Sequence, residues 1–205
     1  MPVRVKICGL TNVTDALAAV AAGADALGFM FYAGSPRHVS PGVAAAIIRE
    51  LPPLIAKVGV FVNPAPDFVR AASATSGLDT LQFHGEEPPA FCAQFGLKVI
   101  KAFRIRDRAS LQECQNYPDH AWLLDSYVAG AHGGTGAIFD WNIAAEATQL
   151  SRRVILAGGL KVETVAEAVR LVRPYAVDVS SGVESSPGRK DGALIRAFIA
   201  QAKSV

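Results

Sequence analysis

Two reactive side chains end apolar segments of the sequence, where a β-strand would meet a loop. Cys8 ends the segment VRVKIC, and Asp125 ends AWLLD. A thiolate can remove a proton and a carboxyl group can supply one, so the two residues would suit general acid–base catalysis if the fold brings them together. Each also has a simpler interpretation, because a free cysteine packs readily in a core and an aspartate can cap a turn. The position of both at strand ends weakens that simpler interpretation.

Three glycine-rich loops follow one another in the last part of the chain: GGTG at 133–136, AGG at 157–159 and SSGVESSPG at 180–188. Glycine lets backbone N–H groups approach an anion, and three such loops in succession favour a phosphate site over simple tight turns. The predicted substrate is therefore a sugar phosphate or a similar ester. The residues expected to contact it are Gly134, Gly136, Gly158, Gly159, Ser180, Ser181 and Gly182.

One loop arginine is a further candidate. Arg37 lies in the segment SPRHVSP, and its guanidinium could bind a carboxylate through two parallel hydrogen bonds. The histidines His38, His84, His120 and His132 have no spacing typical of metal ligands, so no metal is predicted. His84 ends a strand-like segment, where it would either line the pocket or have a structural role.

Strand-like segments alternate with alanine-rich helical segments along the chain. In the helical segments apolar residues recur at i, i+3 and i+4, as one buried face requires. Eight repeats of roughly 25 residues predict a parallel α/β sheet closed into a (β/α)8 TIM barrel. An open doubly wound sheet is the alternative, but no G-x-G-x-x-G follows the first strand. Strands are predicted at 3–8, 26–31, 57–62, 80–84, 98–103, 121–125, 153–158 and 176–181, and helices at 15–23, 41–51 and 162–172.

The active site of such a barrel lies at the carboxyl ends of its strands. Side chains alternate along a strand, so Val5 and Ile7 would face the helices while Lys6 and Cys8 point toward the barrel axis. The same alternation directs Asp125 into the open end. Cys8 and Asp125 would then share one pocket, and the positive charge of Lys6 would raise the thiolate fraction of Cys8.

Composition limits the classes of protein that fit. The 205 residues predict a single barrel domain over 1–205, and a net charge of +2 is too small to indicate nucleic-acid binding. No apolar run reaches the ~18 residues that a membrane span needs. Without a secretion signal, and with three widely spaced cysteines, a cytoplasmic location is expected. Cys92 and Cys114 lie in helical segments and are predicted to be packing residues. A barrel has no free sheet edge and no exposed apolar patch is evident, so a monomer is the default expectation.

Several segments carry a family resemblance in their order and spacing. They are KICGLT, SPR, LQFHG, LLDS followed by GGTGAIFDW, LAGGL and DVSSGVESSPGRKDG. Over nearly its whole length the chain resembles the phosphoribosylanthranilate isomerases of tryptophan biosynthesis, most specifically in K-I-C-G and D-V-S-S-G-V-E. Phe83 departs from a usual leucine, and Lys161 with Val162 departs from a frequent Asn-Pro pair; neither change touches the expected chemistry.

The resemblance implies an Amadori rearrangement of N-(5′-phosphoribosyl)anthranilate to 1-(2-carboxyphenylamino)-1-deoxyribulose 5-phosphate, with no metal or cofactor. It implies Asp125 as the general acid that opens the furanose ring and Cys8 as the general base that removes the C2′ proton. Arg37 would bind the anthranilate carboxylate, the glycine loops would bind the 5′-phosphate, and Asp178 would contact the substrate.

Two other functions stay open. A histidine-pathway isomerase performs the same rearrangement on another aglycone, but that family places an aspartate where Cys8 stands. It also needs a second anion site, and no glycine-rich loop is present near strands two to four. A non-catalytic phosphate-binding barrel would explain the glycine loops equally well, but it would not explain an acid and a base at strand ends.

Overall fold

The computed structural model describes residues 2–126 and 140–205, in which strands and helices alternate. Eight parallel strands each pair with the next, and the last pairs with the first to close a barrel. The strands are β1 (Arg4–Cys8), β2 (Ala26–Met30), β3 (Ala56–Phe61), β4 (Thr80–Phe83), β5 (Lys98–Ile105), β6 (Ala121–Ser126), β7 (Val154–Leu156) and β8 (Ala176–Val179). The helices are α1 (Val13–Ala21), α2 (Pro41–Arg49), α3 (Pro66–Ser76), α4 (Pro89–Cys92), α5 (Ser110–Cys114), α6 (Trp141–Leu150), α7 (Val165–Val172) and α8 (Gly192–Lys203). The predicted TIM barrel is confirmed, and the open sheet is excluded.

Among the described residues, four short elements stand outside this repeat. One 3-10 helix, Ala93–Phe95, follows α4, and a second, Ser181–Val183, follows β8. The chain then forms an antiparallel pair, β9 (Glu184–Ser186) with β10 (Arg189–Lys190), which we call the β8 hairpin. The strand predicted to run to residue 181 stops at 179, because the chain turns into the second 3-10 helix. None of the helices in the described ranges combines the length and the apolar character that a membrane span requires.

Helix boundaries follow from local chemistry. The side chain of Asn12 accepts a hydrogen bond from the Asp15 N–H at the start of α1, and Ser40 accepts one from the Val43 N–H at the start of α2. Gly77 ends α3 with a φ of 69°, a left-handed conformation that glycine adopts without a steric penalty. Asn12 and Ser40 thereby end the loops that follow β1 and β2, and Arg37 lies in the second of these loops.

The strands separate two apolar cores, as side-chain alternation predicts. Val5 and Ile7 are fully buried in the outer core, between the sheet and the helices. Inside the barrel, a smaller core fills the axis, so the barrel is a packed layer rather than a pore. The members of this inner core are Val58, Ile100, Ala102, Leu123, Ile155, Ala157 and Ala176.

The amino-terminal end of the barrel holds a second cavity, of about 800 Å³. Apolar side chains line it, among them Leu54, which is 95% exposed, together with charged ones such as Arg4, Asp25 and Lys98. The expectation of a monomer stays a prediction.

Candidate active site

The carboxyl ends of the strands surround a cavity of about 340 Å³. Every predicted site residue within the described ranges lines it. Gly134 and Gly136 lie outside the described residues. The predicted residues that line the cavity are Cys8, Arg37, Asp125, Gly158, Gly159, Asp178, Ser180, Ser181 and Gly182.

Cys8 lies at the end of β1 and is only 6% exposed. Its neighbour inside the barrel is an ion pair, because Lys6 Nζ lies 2.8 Å from Asp178 Oδ1 on the adjacent strand β8. Space for the thiol comes from Gly28 on β2, where an added Cβ would lie 2.7 Å from Cys8 Sγ. The Ser180 hydroxyl donates to the Cys8 carbonyl at 3.1 Å and ties β1 to the loop after β8.

Burial raises the pKa of the Cys8 thiol above its ordinary value, and the positive charges of Lys6 and Lys190 only partly oppose this effect. The predicted gain in thiolate from Lys6 is therefore outweighed by desolvation. Burial also acts to lower the pKa of Lys6, but attraction to Asp178 and Cys8 outweighs it and the pKa of Lys6 is raised. Lys6 thus stays protonated beside the thiol at neutral pH.

The other two cysteines differ in position and surroundings. Cys92 and Cys114 are free, buried thiols in α4 and α5, away from the strand ends. Burial raises the pKa of Cys92 to about 11 and that of Cys114 to about 12. Their location fits the packing role predicted for them.

Asp125 is buried near the end of β6, across the cavity from Cys8. Its Oδ1 accepts a hydrogen bond from the Ser126 N–H at 2.8 Å, which holds the carboxyl group against the loop. Its Oδ2 lies 3.3 Å from His84 Nε2, although the pair is not aligned as a hydrogen bond. Asp125 is thus oriented on one side and free to contact a ligand on the other.

Gln82 was not singled out in the sequence, yet it lines the same cavity as His84. Its Nε2 lies 3.5 Å from His84 Nδ1, and both residues are buried. Within the described ranges, Gln82 Oε1 and His84 Nε2 are buried without a hydrogen-bond partner. Unpaired buried polar atoms are costly, so these two indicate a place for a polar ligand group. Side-chain alternation along the segment TLQFH could have identified Gln82, because it directs residues 82 and 84 to the barrel axis.

Arg37 lies in the loop between β2 and α2, and it already holds a carboxylate. Its Nε and Nη2 donate to Glu184 Oε1 and Oε2 at 2.8 and 2.7 Å. The predicted fork geometry is therefore present, but with Glu184 of the β8 hairpin as its partner. Sequence reasoning missed Glu184, because its partner lies 147 residues away along the chain.

The loops after β7 and β8 meet on one side of the cavity. Gly158 and Gly159 have φ values of 79° and 65°. An added Cβ at Gly158 would lie 2.5 Å from Ser126 N and 2.9 Å from Asp125 Oδ1, so this loop closes tightly on β6. At Gly182 a Cβ would overlap the carbonyl oxygen of Leu160. Glycine is needed at 158 and 182 for this close approach of backbones.

The described part of the cavity holds no metal-binding constellation. Across residues 2–126 and 140–205, no group of three or more His, Cys, Asp or Glu side chains is arranged to hold a metal ion. The chemistry that the site offers is proton transfer between a thiol and a carboxyl group, with donors for anions around them.

Comparisons with known proteins identify the family. Residues 5–201 match the family model of N-(5′-phosphoribosyl)anthranilate (PRA) isomerase. The chain is 56% identical over 201 residues to the N-(5′-phosphoribosyl)anthranilate isomerase of Geobacter sulfurreducens, with 98% of each chain covered. It is 54% identical over 202 residues to that of Citrifermentans bemidjiense, again with 98% of each chain covered.

Solved structures show the same fold. The phosphoribosyl anthranilate isomerase of Thermotoga maritima matches with a TM-score of 0.94 and 43% identity, covering 99% of this chain and 100% of that one. A phosphoribosyl anthranilate isomerase in complex with reduced 1-(o-carboxyphenylamino)-1-deoxyribulose 5-phosphate matches with a TM-score of 0.91, 42% identity and the same coverage. The chain therefore belongs to the N-(5′-phosphoribosyl)anthranilate isomerase family, whose members are enzymes of tryptophan biosynthesis.

Proposed function

We propose that the chain converts N-(5′-phosphoribosyl)anthranilate to 1-(2-carboxyphenylamino)-1-deoxyribulose 5-phosphate, with Asp125 as general acid and Cys8 as general base. The observation that carries this proposal is that both side chains line one cavity at the barrel mouth. Both are buried, so each would transfer its proton out of bulk water.

Asp125 acts in the first step. Its carboxyl group donates a proton to the furanose ring oxygen while the C1′–O bond breaks, and the nitrogen lone pair forms a C1′=N iminium. The new Asp125 carboxylate is held by the Ser126 N–H and lies 3.3 Å from His84 Nε2.

Cys8 acts in the second step. Its thiolate removes the C2′ proton, and the C–H electrons form a C1′=C2′ double bond as the iminium nitrogen regains its lone pair. The resulting enolamine gains a proton at C1′ and loses one from the C2′ hydroxyl to give the ketose. The iminium charge and Lys6 both favour thiolate in the complex, where they offset the burial that raises the pKa of Cys8.

The remaining cavity residues bind the substrate in this proposal. Arg37 receives the anthranilate carboxylate, and the glycine loops after β7 and β8 receive the 5′-phosphate through backbone N–H groups. Asp178 contacts the substrate and holds Lys6 in place. The unpaired polar atoms of Gln82 and His84 suit a ribose hydroxyl group, because a hydroxyl both donates and accepts a hydrogen bond.

The deciding test is a steady-state assay with N-(5′-phosphoribosyl)anthranilate generated in situ. Efficient turnover by the wild type is expected. A folded wild type without turnover would contradict the proposal and would favour a binding barrel. Turnover of the histidine-pathway substrate instead would favour that related isomerase, despite Cys8 standing where its aspartate is expected.

Phosphate binding has its own test. Crystals soaked in phosphate or sulfate are expected to show the anion beside Gly159 and Gly182, because both glycines line the cavity. An anion found only at surface arginines would contradict this placement of the 5′-phosphate.

A further inference from the structure

The β8 hairpin, residues 184–190, follows the last barrel strand without joining the barrel sheet. Two hydrogen bonds anchor it to the loop and helix that follow β1. The Thr11 hydroxyl donates to the Gly188 carbonyl at 2.7 Å, and the Lys190 N–H donates to Asp15 Oδ2 at 2.8 Å. The hairpin is therefore fixed against that loop and helix.

Glu184 joins two cations. Its carboxylate accepts from Arg37 Nε and Nη2 at 2.8 and 2.7 Å, and from Lys190 Nζ at 2.8 Å. The side chains of Glu184, Arg37 and Lys190 are 5%, 13% and 0% exposed. Of the three, Arg37 is the one that lines the active-site cavity.

Such a buried group of charges is held by mutual pairing. Burial acts to raise the pKa of Glu184, but hydrogen bonds from Arg37 and Lys190 outweigh it and the pKa is lowered. Glu184 is therefore ionised at neutral pH. Removing its charge would leave two buried cations without their shared partner, which is costly in a low dielectric.

The Arg37 side chain is confined on its other face as well. An added Cβ at Gly9, which has a φ of 76°, would lie 2.5 Å from Arg37 Cδ. The stem of Arg37 thus lies directly on the backbone of Gly9, and Glu184 fixes the guanidinium. A guanidinium has five N–H donors, so donors on Nη1 and Nη2 remain for a ligand.

We propose that Glu184 is a positioning residue, which holds Arg37 so that its Nη1–Nη2 edge receives the carboxylate of the substrate's aryl group. This inference rests on the proposed function, in which Arg37 binds that carboxylate. Glu184 and the substrate then occupy different edges of one guanidinium. Selectivity for a carboxylate-bearing aglycone follows from orientation as well as charge, because Arg37 cannot turn away.

The test compares two stable ligands that differ by one group. They are reduced 1-(o-carboxyphenylamino)-1-deoxyribulose 5-phosphate and its phenylamino counterpart without the carboxylate. Calorimetric titration of the wild type is expected to show a preference for the carboxylate ligand of about 10- to 100-fold, the range for a hydrogen bond between charged groups. If the wild type lacks this preference, Arg37 does not bind the carboxylate as the proposed function states. The role inferred for Glu184 would then be contradicted as well.

Glu184→Gln should reduce that preference to less than about 3-fold while affinity for the phenylamino ligand changes little. In turnover the variant should raise KM with kcat nearly unchanged, because uniform binding is lost. If wild type shows the preference and Glu184→Gln keeps it in full, Glu184 does not position Arg37 and the proposed function stands alone.

Two further variants separate positioning from simple anchoring of the hairpin. Thr11→Val removes the hydrogen bond to Gly188 and weakens the hairpin without touching Arg37; the ligand preference should persist even where the melting temperature falls. Loss of the preference in Thr11→Val would overturn the proposal. Arg37→Lys keeps the positive charge but cannot form two parallel hydrogen bonds to a carboxylate. This variant should lose the preference for the carboxylate ligand, as Glu184→Gln does. It replaces Glu184→Gln in the test if that variant fails to fold.

Discussion

At the scale of single residues, the three cysteines show how environment separates a reactive thiol from a packing one. All three are buried and free, and burial raises the pKa of each. Cys8 alone of the three lines the active-site cavity and adjoins the charged pair of Lys6 and Asp178. Its position in the cavity distinguishes it, because Cys92 and Cys114 also have a cation, Lys101, nearby; Cys8 is therefore the thiol expected to do chemistry.

Replacement of either catalytic candidate should remove most activity. Cys8→Ala and Asp125→Ala are each expected to lower kcat by at least ~10²-fold, the usual scale for a positioned acid or base. Cys92→Ala is the matched control, because it removes a buried thiol far from the strand ends. Near-normal kcat in Cys8→Ala, measured in the steady-state assay, would exclude Cys8 as the base.

The raised pKa of Cys8 gives a pH dependence with a definite sign. Thiolate is the minor form at neutral pH and grows as pH rises, so the ultraviolet thiolate absorbance of the wild type minus that of Cys8→Ala should increase from pH 7 past the ordinary thiol pKa of about 8.5. The charged groups facing Cys8 are Lys6, Asp178, Lys190 and Arg37. A difference absorbance that is already complete at pH 7.5 would contradict the raised pKa of Cys8.

At the scale of elements, the loops after β7 and β8 are shaped by backbone proximity. Leu160, which follows the turn at Gly158 and Gly159, lies so close to Gly182 that no Cβ fits between them. A phosphate held by backbone N–H groups depends on this contact, because the donors are fixed only while the two loops stay together.

Gly182→Ala should therefore impair phosphate binding. The added methyl group must push the Leu160 carbonyl away, and kcat/KM is expected to fall by roughly 10-fold or more as the backbone donors shift. Gly42→Ala is the control, because its Cβ would meet only Ser40 Oγ, at 4.0 Å, within α2. Equal kcat/KM in both variants would show that the Gly182 contact is not part of the binding site.

At the scale of the whole molecule, the two ends of the barrel hold separate cavities. The carboxyl end surrounds about 340 Å³, and the amino-terminal end surrounds about 800 Å³. The inner core, with Leu123 fully buried, separates the two. Every predicted site residue in the described ranges lines the cavity at the carboxyl end, so the chemistry is expected at that end.

Global stability should decline at alkaline pH. In the folded protein the pKa values of Cys92 and Cys114 are about 11 and 12, above the ordinary thiol value of about 8.5. The contribution of these two thiols to the free energy of unfolding is complete below pH 8.5. It is lost as pH rises toward 11 to 12, because the thiols of the unfolded chain ionise first. Denaturant unfolding at pH 8, 9 and 10 should show a falling free energy of unfolding, and Cys92→Ala with Cys114→Ala should flatten that slope. An equal slope in the double variant would contradict this origin.

The sequence by itself determined the barrel and the direction of its key side chains. Periodicity is local, so the strand alternation in VRVKIC and AWLLD predicted that Cys8 and Asp125 point into the mouth, and the structure places both there. The resemblance then supplied the family, which the comparisons confirm.

Only the tertiary structure decided how the site is charged. Arg37 meets Glu184 across 147 residues of chain, and Lys6 meets Asp178 across 172. Barrel closure brings these charges together, and the depth of burial sets the pKa of Cys8. Pairing and desolvation are properties of the surroundings in space, and no local pattern in the sequence records them.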